Sequence, residues 1–401
     1  MLKRAILVIS LCFSVHVLVK GQVVNTGEKI FIDNNAVVFI ENDYKHIAGN
    51  VLNNGKITVK GNWFNNDLNS TVFDSRSAGL TDLAGGSQQI GGSNKTSFSN
   101  LSLSGNGNKT LLVNTDITKN LSLNDKELKA GGYTVSVLNP LNEAITRTTG
   151  FVSTDKLGKL IRSTNTINSY LFPLGSALYG TSIYRPVSVE PSSSDPSNFS
   201  VAFLNENPSN SGYNINDKKP DIDQVFDDYF YILNQETGSS AINAKFYQDA
   251  AGEDEFAQLV NWSSSNVWEK AGPSTVYNGV FGDGLNRTLL FTSSGRLNNL
   301  PVTFANVSKT GDVLTFFNGF SPDGDGKNDK WLIRNIDLFP DNELTVFNRW
   351  GDEIFKSTGY NSTNAWDGSN MNQGTYFYVL KVNINSEQKL YKGFITILKK
   401  E

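Results

Sequence analysis

"NLSLSGNGNKTLLVNTDITKNLSLN", residues 100–124, contains nearly the same phrase twice. The run that begins at Asn100 returns at Asn120, 20 residues later. Leu101 and Leu103 alternate with Ser102 and Ser104, and Leu121 and Leu123 alternate with Ser122 and Asn124. Alternation of period two is the pattern of a strand with one buried face. Between the copies stands "SGNGNK", a cluster of turn formers. "AVVFI" (36–40) and "KITVKG" (56–61) show the same offset, and "LNNGK" and "FNNDLNS" punctuate the same region. One short β-run per 20 residues suggests stacked rungs of a β-solenoid over residues 22–142. Each rung would bury a small apolar face on its neighbours, and inward Asn residues would form ladders. An irregular sandwich with coincidental spacing is the competing architecture.

The rest of the chain also reads as all-β. Asn makes up about 12% of the sequence, and helix-favouring windows are almost absent. Residues 143–306 carry longer runs, among them "IYRPVSVEP" (183–191), "FSVAFLNENP" (199–208), "DDYFYILN" (227–234) and "RTLLFTSSG" (287–295). Strands apolar on both faces suit a central antiparallel β-sandwich. The polar stretch 208–224 is expected to be a long loop. "FPLGS…YRP" in this region resembles a module of large surface proteins of gliding Gram-negative bacteria. Residues 307–311 would be a linker. Residues 312–401 hold strand candidates at Val313–Phe317, Trp331–Ile336, Leu344–Arg349, Glu353–Lys356, Thr375–Ile384 and Lys389–Leu398, a count that fits a small Ig-like sandwich.

The N-terminus sets the compartment and narrows the chemistry. Lys3 and Arg4 precede an apolar run from Ala5 to Val19 and a polar break at Lys20-Gly21-Gln22. That is the pattern of a signal peptide, residues 1–21, cut after Gly21. Cys12 raises a lipoprotein leader as the alternative, which bulky Leu11 and the mid-run position disfavour. Removing the leader removes the one cysteine and leaves His46 as the one histidine. Disulfides, thiolate zinc sites and cysteine nucleophiles are then excluded. The mature chain keeps 32 basic against 39 acidic residues, a net charge of −7 that disfavours nucleic acid.

Near the other end, "NGFSPDGDGKND" (318–329) sets Asp323, Asp325, Asn328 and Asp329 among Gly324, Gly326 and Lys327. Four oxygen-bearing side chains on a glycine-rich turn are candidate calcium ligands. An EF-hand-like loop would close with Glu at its twelfth position, which here is Arg334. The simpler use of these residues is a turn whose side chains accept backbone N–H groups. Further on come "WLIRNIDLFPDNELTVFNRWGDEIF" (331–355), "GYNSTNAWDG" (359–368), "GTYFYVLKV" (374–382) and "YKGFITILKK" (391–400). Taken together and in this order, they resemble the gliding-motility-associated C-terminal domain, the type B sorting domain of the type IX secretion system. The resemblance implies an Ig-like sandwich, recognition by the outer-membrane translocon, dependence on an SprF-like outer-membrane partner, and delivery to the cell surface or medium. It also implies a recognition surface around Asp323–Asp329, Asn348–Gly351 and Gly374–Tyr376. From the residues alone, Trp350 and Trp366 are candidate core anchors. Gly351 in Asn348-Arg349-Trp350-Gly351 and Gly368 after Asp367 are turn residues, and Arg349 would pair with Asp367 or Asp352. Thr375 opens the last long strand pair.

Other motifs are weaker. "GGSNKT" (91–96) and "GNGNKT" (105–110) lack the glycine before lysine and the helix a phosphate loop needs. "GEDE" (252–255) reads as a solvated loop, since catalytic carboxylates require unequal burial. His46 reads as a surface or turn residue, and Trp262 and Trp268 as core anchors ahead of sugar platforms. The expected protein is therefore non-enzymatic, needs no cofactor, and serves adhesion or surface structure through a β-rich passenger. The alternative is a secreted polysaccharide-binding or polysaccharide-degrading protein with a glycan as its extracellular ligand.

Overall fold

The computed structural model describes residues 8–9, 17–19, 21–69, 71–155, 157–177, 182–253, 255–272, 275–293, 295–307, 314–368, 371–384 and 387–399. Most of the expected leader, and all of the expected linker except Val307, lie outside them. The described chain is all-β and forms two units, 1–307 and 308–401, each with its own core.

The solenoid has about seven turns. Each turn gives one strand to each of two parallel sheets. One sheet runs through Val23–Ile32, Tyr44–Asn53, Trp63–Asn65, Gln88–Gly92, Lys109–Leu111, Glu127–Gly131 and Phe151–Thr154. The other runs through Val37–Ile40, Lys56–Val59, Leu80–Leu83, Thr96–Leu103, Thr115–Ser122, Thr134–Val137 and Lys159–Thr164. The opening repeat is in register: Asn100 lies beside Asn120, Leu101 beside Leu121 and Ser102 beside Ser122. The leucines are fully buried, as the alternation requires. The rung length is not constant. Val37 pairs with Lys56, an offset of 19; Lys56 with Leu80, an offset of 24; and Val135 with Leu160, an offset of 25. A bulge after Phe98 changes the offset within one strand pair. The extra residues leave the stack as side loops. The loop 66–79 returns Phe73 to the core, where it stacks on Trp63 at 5.6 Å.

Asparagines act on both faces, contrary to the inward ladder expected. Asn120 Nδ2 donates to Asn100 Oδ1 at 3.0 Å on the outer face. The buried Asn65 instead serves backbone groups, donating to Lys95 O at 2.8 Å and accepting from Asp67 N at 3.1 Å. At one corner the rungs approach too closely for any side chain. A Cβ on Gly85 would meet Lys60 O at 1.9 Å, and one on Gly105 would meet Gly85 O at 2.1 Å. Gly105 also has φ +79°.

Parallel stacking continues past residue 142. Lys159–Thr164 pairs in parallel with Thr134–Val137 on one side and antiparallel with Ser197–Leu204 on the other. The same sheet then runs antiparallel through Phe230–Thr237, Leu300–Asn306, Gln258–Trp262 and Trp268–Lys270. A second antiparallel sheet holds Tyr170–Phe172, Val187–Pro191, Ile242–Gln248, Leu285–Thr292 and Thr275–Gly282. One buried cluster extends from Ile32 in the solenoid to Phe304 in the sandwich. An open solenoid end presents bare strand edges and apolar core. Here the sandwich covers that end by extending one of its sheets. The loop 208–224 is irregular as expected, and its Tyr213 packs edge-on against Trp262 and Trp268.

In the C-terminal unit the sheet order is Gly319–Phe320, Glu387–Ile397, Gly374–Ile384, Asn342–Phe347 and Glu353–Thr358. The first pair is parallel and the others antiparallel. Leu344, Val346, Leu380, Val382, Ile395 and Ile397 line its inner face. The opposing layer is a short ladder, Thr315–Phe316 with Ile333–Arg334, together with loops that insert Trp331, Tyr360 and Trp366.

Candidate functional site

The register gathers the C-terminal motifs at one end of this sheet. Phe320 and Gly374 both pair with Ile397. Phe347, the residue before the Asn348 turn, pairs with Phe377. The loop 321–330 follows Phe320 directly. Three motif stretches far apart in sequence are therefore neighbours in space.

The loop 321–330 is held by its own acids. Asp329 accepts Gly324 N on Oδ1 at 2.6 Å and Gly326 N on Oδ2 at 2.8 Å. Asp323 Oδ1 accepts Asp325 N at 3.3 Å, and Asp325 Oδ1 accepts Lys327 N at 2.8 Å. Ser321 N donates to Asn328 O at 2.9 Å and closes the turn. Gly324, Gly326 and Asn328 have φ of +80°, +83° and +53°. No neighbouring atom lies near a Cβ built on either glycine, so backbone conformation alone selects them. Oxygens of Asp323, Asp325 and Asp329 all lie within 4.8 Å of one another. That spacing suits a hard cation such as calcium, with further ligands from backbone oxygen or water.

The Asn348 turn works the same way. Asn348 Oδ1 accepts Trp350 N at 2.9 Å and Asp352 N at 3.0 Å, while Nδ2 donates to Asp352 Oδ2 at 2.8 Å. Gly351 has φ +91°, as its place in the turn predicts. The tryptophans differ from expectation. Trp366 is buried against Phe320 and Phe355, but Trp350 is 74% exposed. It sits at a hairpin tip, beyond the reach of the core. The Arg349 guanidinium lies 4.3 Å from the Trp350 ring centre, and the Asp352 carboxylate holds Asn348.

Gly368 is restricted twice. Its φ is +61°, and a Cβ would lie 2.9 Å from both Phe320 and Ile397 side chains. Asp367 beside it is exposed. Gly374 opens its strand with φ +154°, Thr375 faces Thr396, and Tyr376 donates to Asn372 O at 2.8 Å while its ring meets Trp366 edge-on. Sequence reasoning passed over Tyr360. It is fully buried, its hydroxyl donates to Trp331 O and accepts Trp366 N, and burial raises its pKa. Nothing local in "GYNS" marks it, since both partners are supplied by other segments.

Two buried clusters in the N-terminal unit correct earlier expectations. His46 is fully buried, not a surface or turn residue. It lies inward on Tyr44–Asn53, in register between Asn25 and Asn65. Its Nδ1 is 3.2 Å from Tyr44 Oη, and its Nε2 is 3.7 Å from the Asp67 carboxylate. Burial lowers its pKa, and Asp67 opposes that shift. Glu253 of "GEDE" is also buried rather than solvated. Arg185 Nη2 reaches its carboxylate at 2.7 Å, and Arg185 Nε donates to Tyr229 Oη at 3.2 Å. Burial raises the Glu253 pKa against the pull of Arg185. Trp268 is buried and Trp262 half-buried, which agrees with core anchoring.

Residues 314–397 match the family described as the CHU_C type IX secretion signal domain. The C-terminal unit is thus a domain of that family, and its presence implies export by the type IX machinery to the surface or beyond. No curated protein and no solved structure matches the chain.

Proposed function

We propose, taking residues 314–397 as a type IX secretion signal, that this is a non-enzymatic surface protein whose β-rich passenger serves adhesion or surface structure. The family match on a unit with its own core supports the export that this proposal starts from. An SprF-like outer-membrane protein is the proposed partner in the translocon. The non-enzymatic reading draws support from what the passenger's ionisable groups do. On the solenoid, Asp82 holds Lys56 at 2.9 Å and Ser104 at 2.7 Å, and Asp116 holds Lys95. The buried His46 lies 3.7 Å from Asp67 and the buried Glu253 pairs with Arg185 at 2.7 Å. Asp323–Asp329 are assigned to shaping their turn, with calcium as the rival use. Incubating the purified 22–306 passenger with pectin and chitin tests the reading: binding to surfaces without turnover is expected, and turnover would replace it with the polysaccharide-degrading alternative.

A further inference from the structure

The five-stranded sheet of the C-terminal unit has an outward face, opposite the one that lines the core. Side chains alternate across a strand, so register shows which residues share that face. Phe347, Phe377 and Phe394 pair in sequence across three adjacent strands, so they form one outward row. Phe377 is 48% and Phe394 50% exposed. Two positions along, Val379 lies between Thr345 and Lys392, and beyond that Lys381 lies between Glu343 and Leu390. Leu390 is exposed as well. On the edge strand, Lys356 lies beside Thr345 and Glu353 beside Phe347. The next turn along carries the exposed Trp350.

Isolated exposed apolar residues need no explanation, but a contiguous row across a sheet marks an interaction surface. An aromatic centre with a polar edge is the anatomy of a protein interface. On this face Lys356 and Lys381 flank Glu343 at 3.2 and 3.6 Å, and the exposed Lys392 beside Val379 adds a further positive charge. The phenylalanine row also lies at the sheet end where the sorting motifs gather.

We infer that this face is where the secretion signal docks on an outer-membrane component of the type IX export machinery, one that presents an apolar surface edged by carboxylates. Phe377 and Phe394 are the central contacts, Lys392 meets the partner's acids, and Lys381 is shared between them and Glu343. The inference rests on the proposed export role and specifies which surface serves it.

The test uses the full chain in its native host, comparing wild type, Phe377→Asp/Phe394→Asp, Lys381→Glu/Lys392→Glu, and a chain lacking 312–401. Surface and periplasmic amounts are measured, and folding is checked by the melting temperature of each purified protein. The expected result is a native melting temperature with surface delivery reduced about 10-fold or more in the phenylalanine variant, and reduced less in the lysine variant. If the deletion is stranded while both folded variants reach the surface normally, the docking face is wrong and the export role stands. If the deletion also reaches the surface, the export role itself fails. If the phenylalanine variant does not fold, the lysine variant decides, and its normal delivery overturns the inference. Concentration-dependent dimerisation of wild type that is lost in the phenylalanine variant would assign the face to a second copy and also overturn it.

Discussion

Asp329 shows how one side chain can define a motif. Its two carboxylate oxygens take the amides of Gly324 and Gly326, which a glycine-rich turn otherwise leaves to water. Asp329→Ala in residues 308–401 should cost about 1–2 kcal/mol, read from urea unfolding. Because these acids are occupied in the turn, millimolar calcium is expected to leave the melting temperature of that fragment unchanged. A rise of several degrees with calcium found by elemental analysis would reassign the loop. His46 gives a pH dependence of definite sign. Its pKa is lowered on folding, so the unfolded chain binds more protons through the window below 6.5. The stability it contributes is complete above that window and is lost as pH falls through it. The fragment 22–307 should therefore unfold at lower urea at pH 5 than at pH 7, and His46→Gln should reduce the difference. The sequence hid this residue because "NDYKHIAG" looks polar, while the Tyr44–His46 alternation that places both side chains inward is only two residues long.

At the scale of elements, the solenoid was legible where rungs lack insertions and obscure elsewhere. Asn100 and Asn120 repeat at 20 because a one-residue bulge between Ile117 and Asn120 is all that is added to the 19-residue step that pairs Phe98 with Ile117. The 24-residue step from Lys56 to Leu80 carries the loop that delivers Phe73, and no fixed period survives it. The boundary placed at 142 marked a change in composition, but the sheet itself continues, and pairing across Lys159–Thr164 is a non-local fact. Glu253 was misread for the same reason: Arg185 lies 68 residues earlier and reaches it only after two sheets have packed. Trp350 was misassigned because residue size says nothing about distance from a core. The corner glycines yield a prediction at this scale. Gly105→Ala places a Cβ against Gly85 O at a positive φ, and should destabilise the 22–307 fragment by about 2 kcal/mol or more, read from its urea midpoint.

At the scale of the whole molecule, each unit carries a separate burden. The N-terminal unit is a solenoid covered at its C-terminal end by a sandwich that extends its own sheet, a scaffold in which buried Glu253 pairs with Arg185 and buried His46 packs beside Asp67. The C-terminal unit is a secretion signal with its own core, and its motif residues are mostly turn formers that keep one sheet end in shape. Ordered spacing made those motifs legible in the sequence. The phenylalanine row was not, because it is assembled only by the register of three strands. The most direct test of the central claim is where the passenger goes without its signal. In the native host, the full chain should be accessible to protease added outside intact cells, and the chain lacking residues 312–401 should be protected in the periplasm. Finding the truncated protein at the surface in normal amounts would contradict the account.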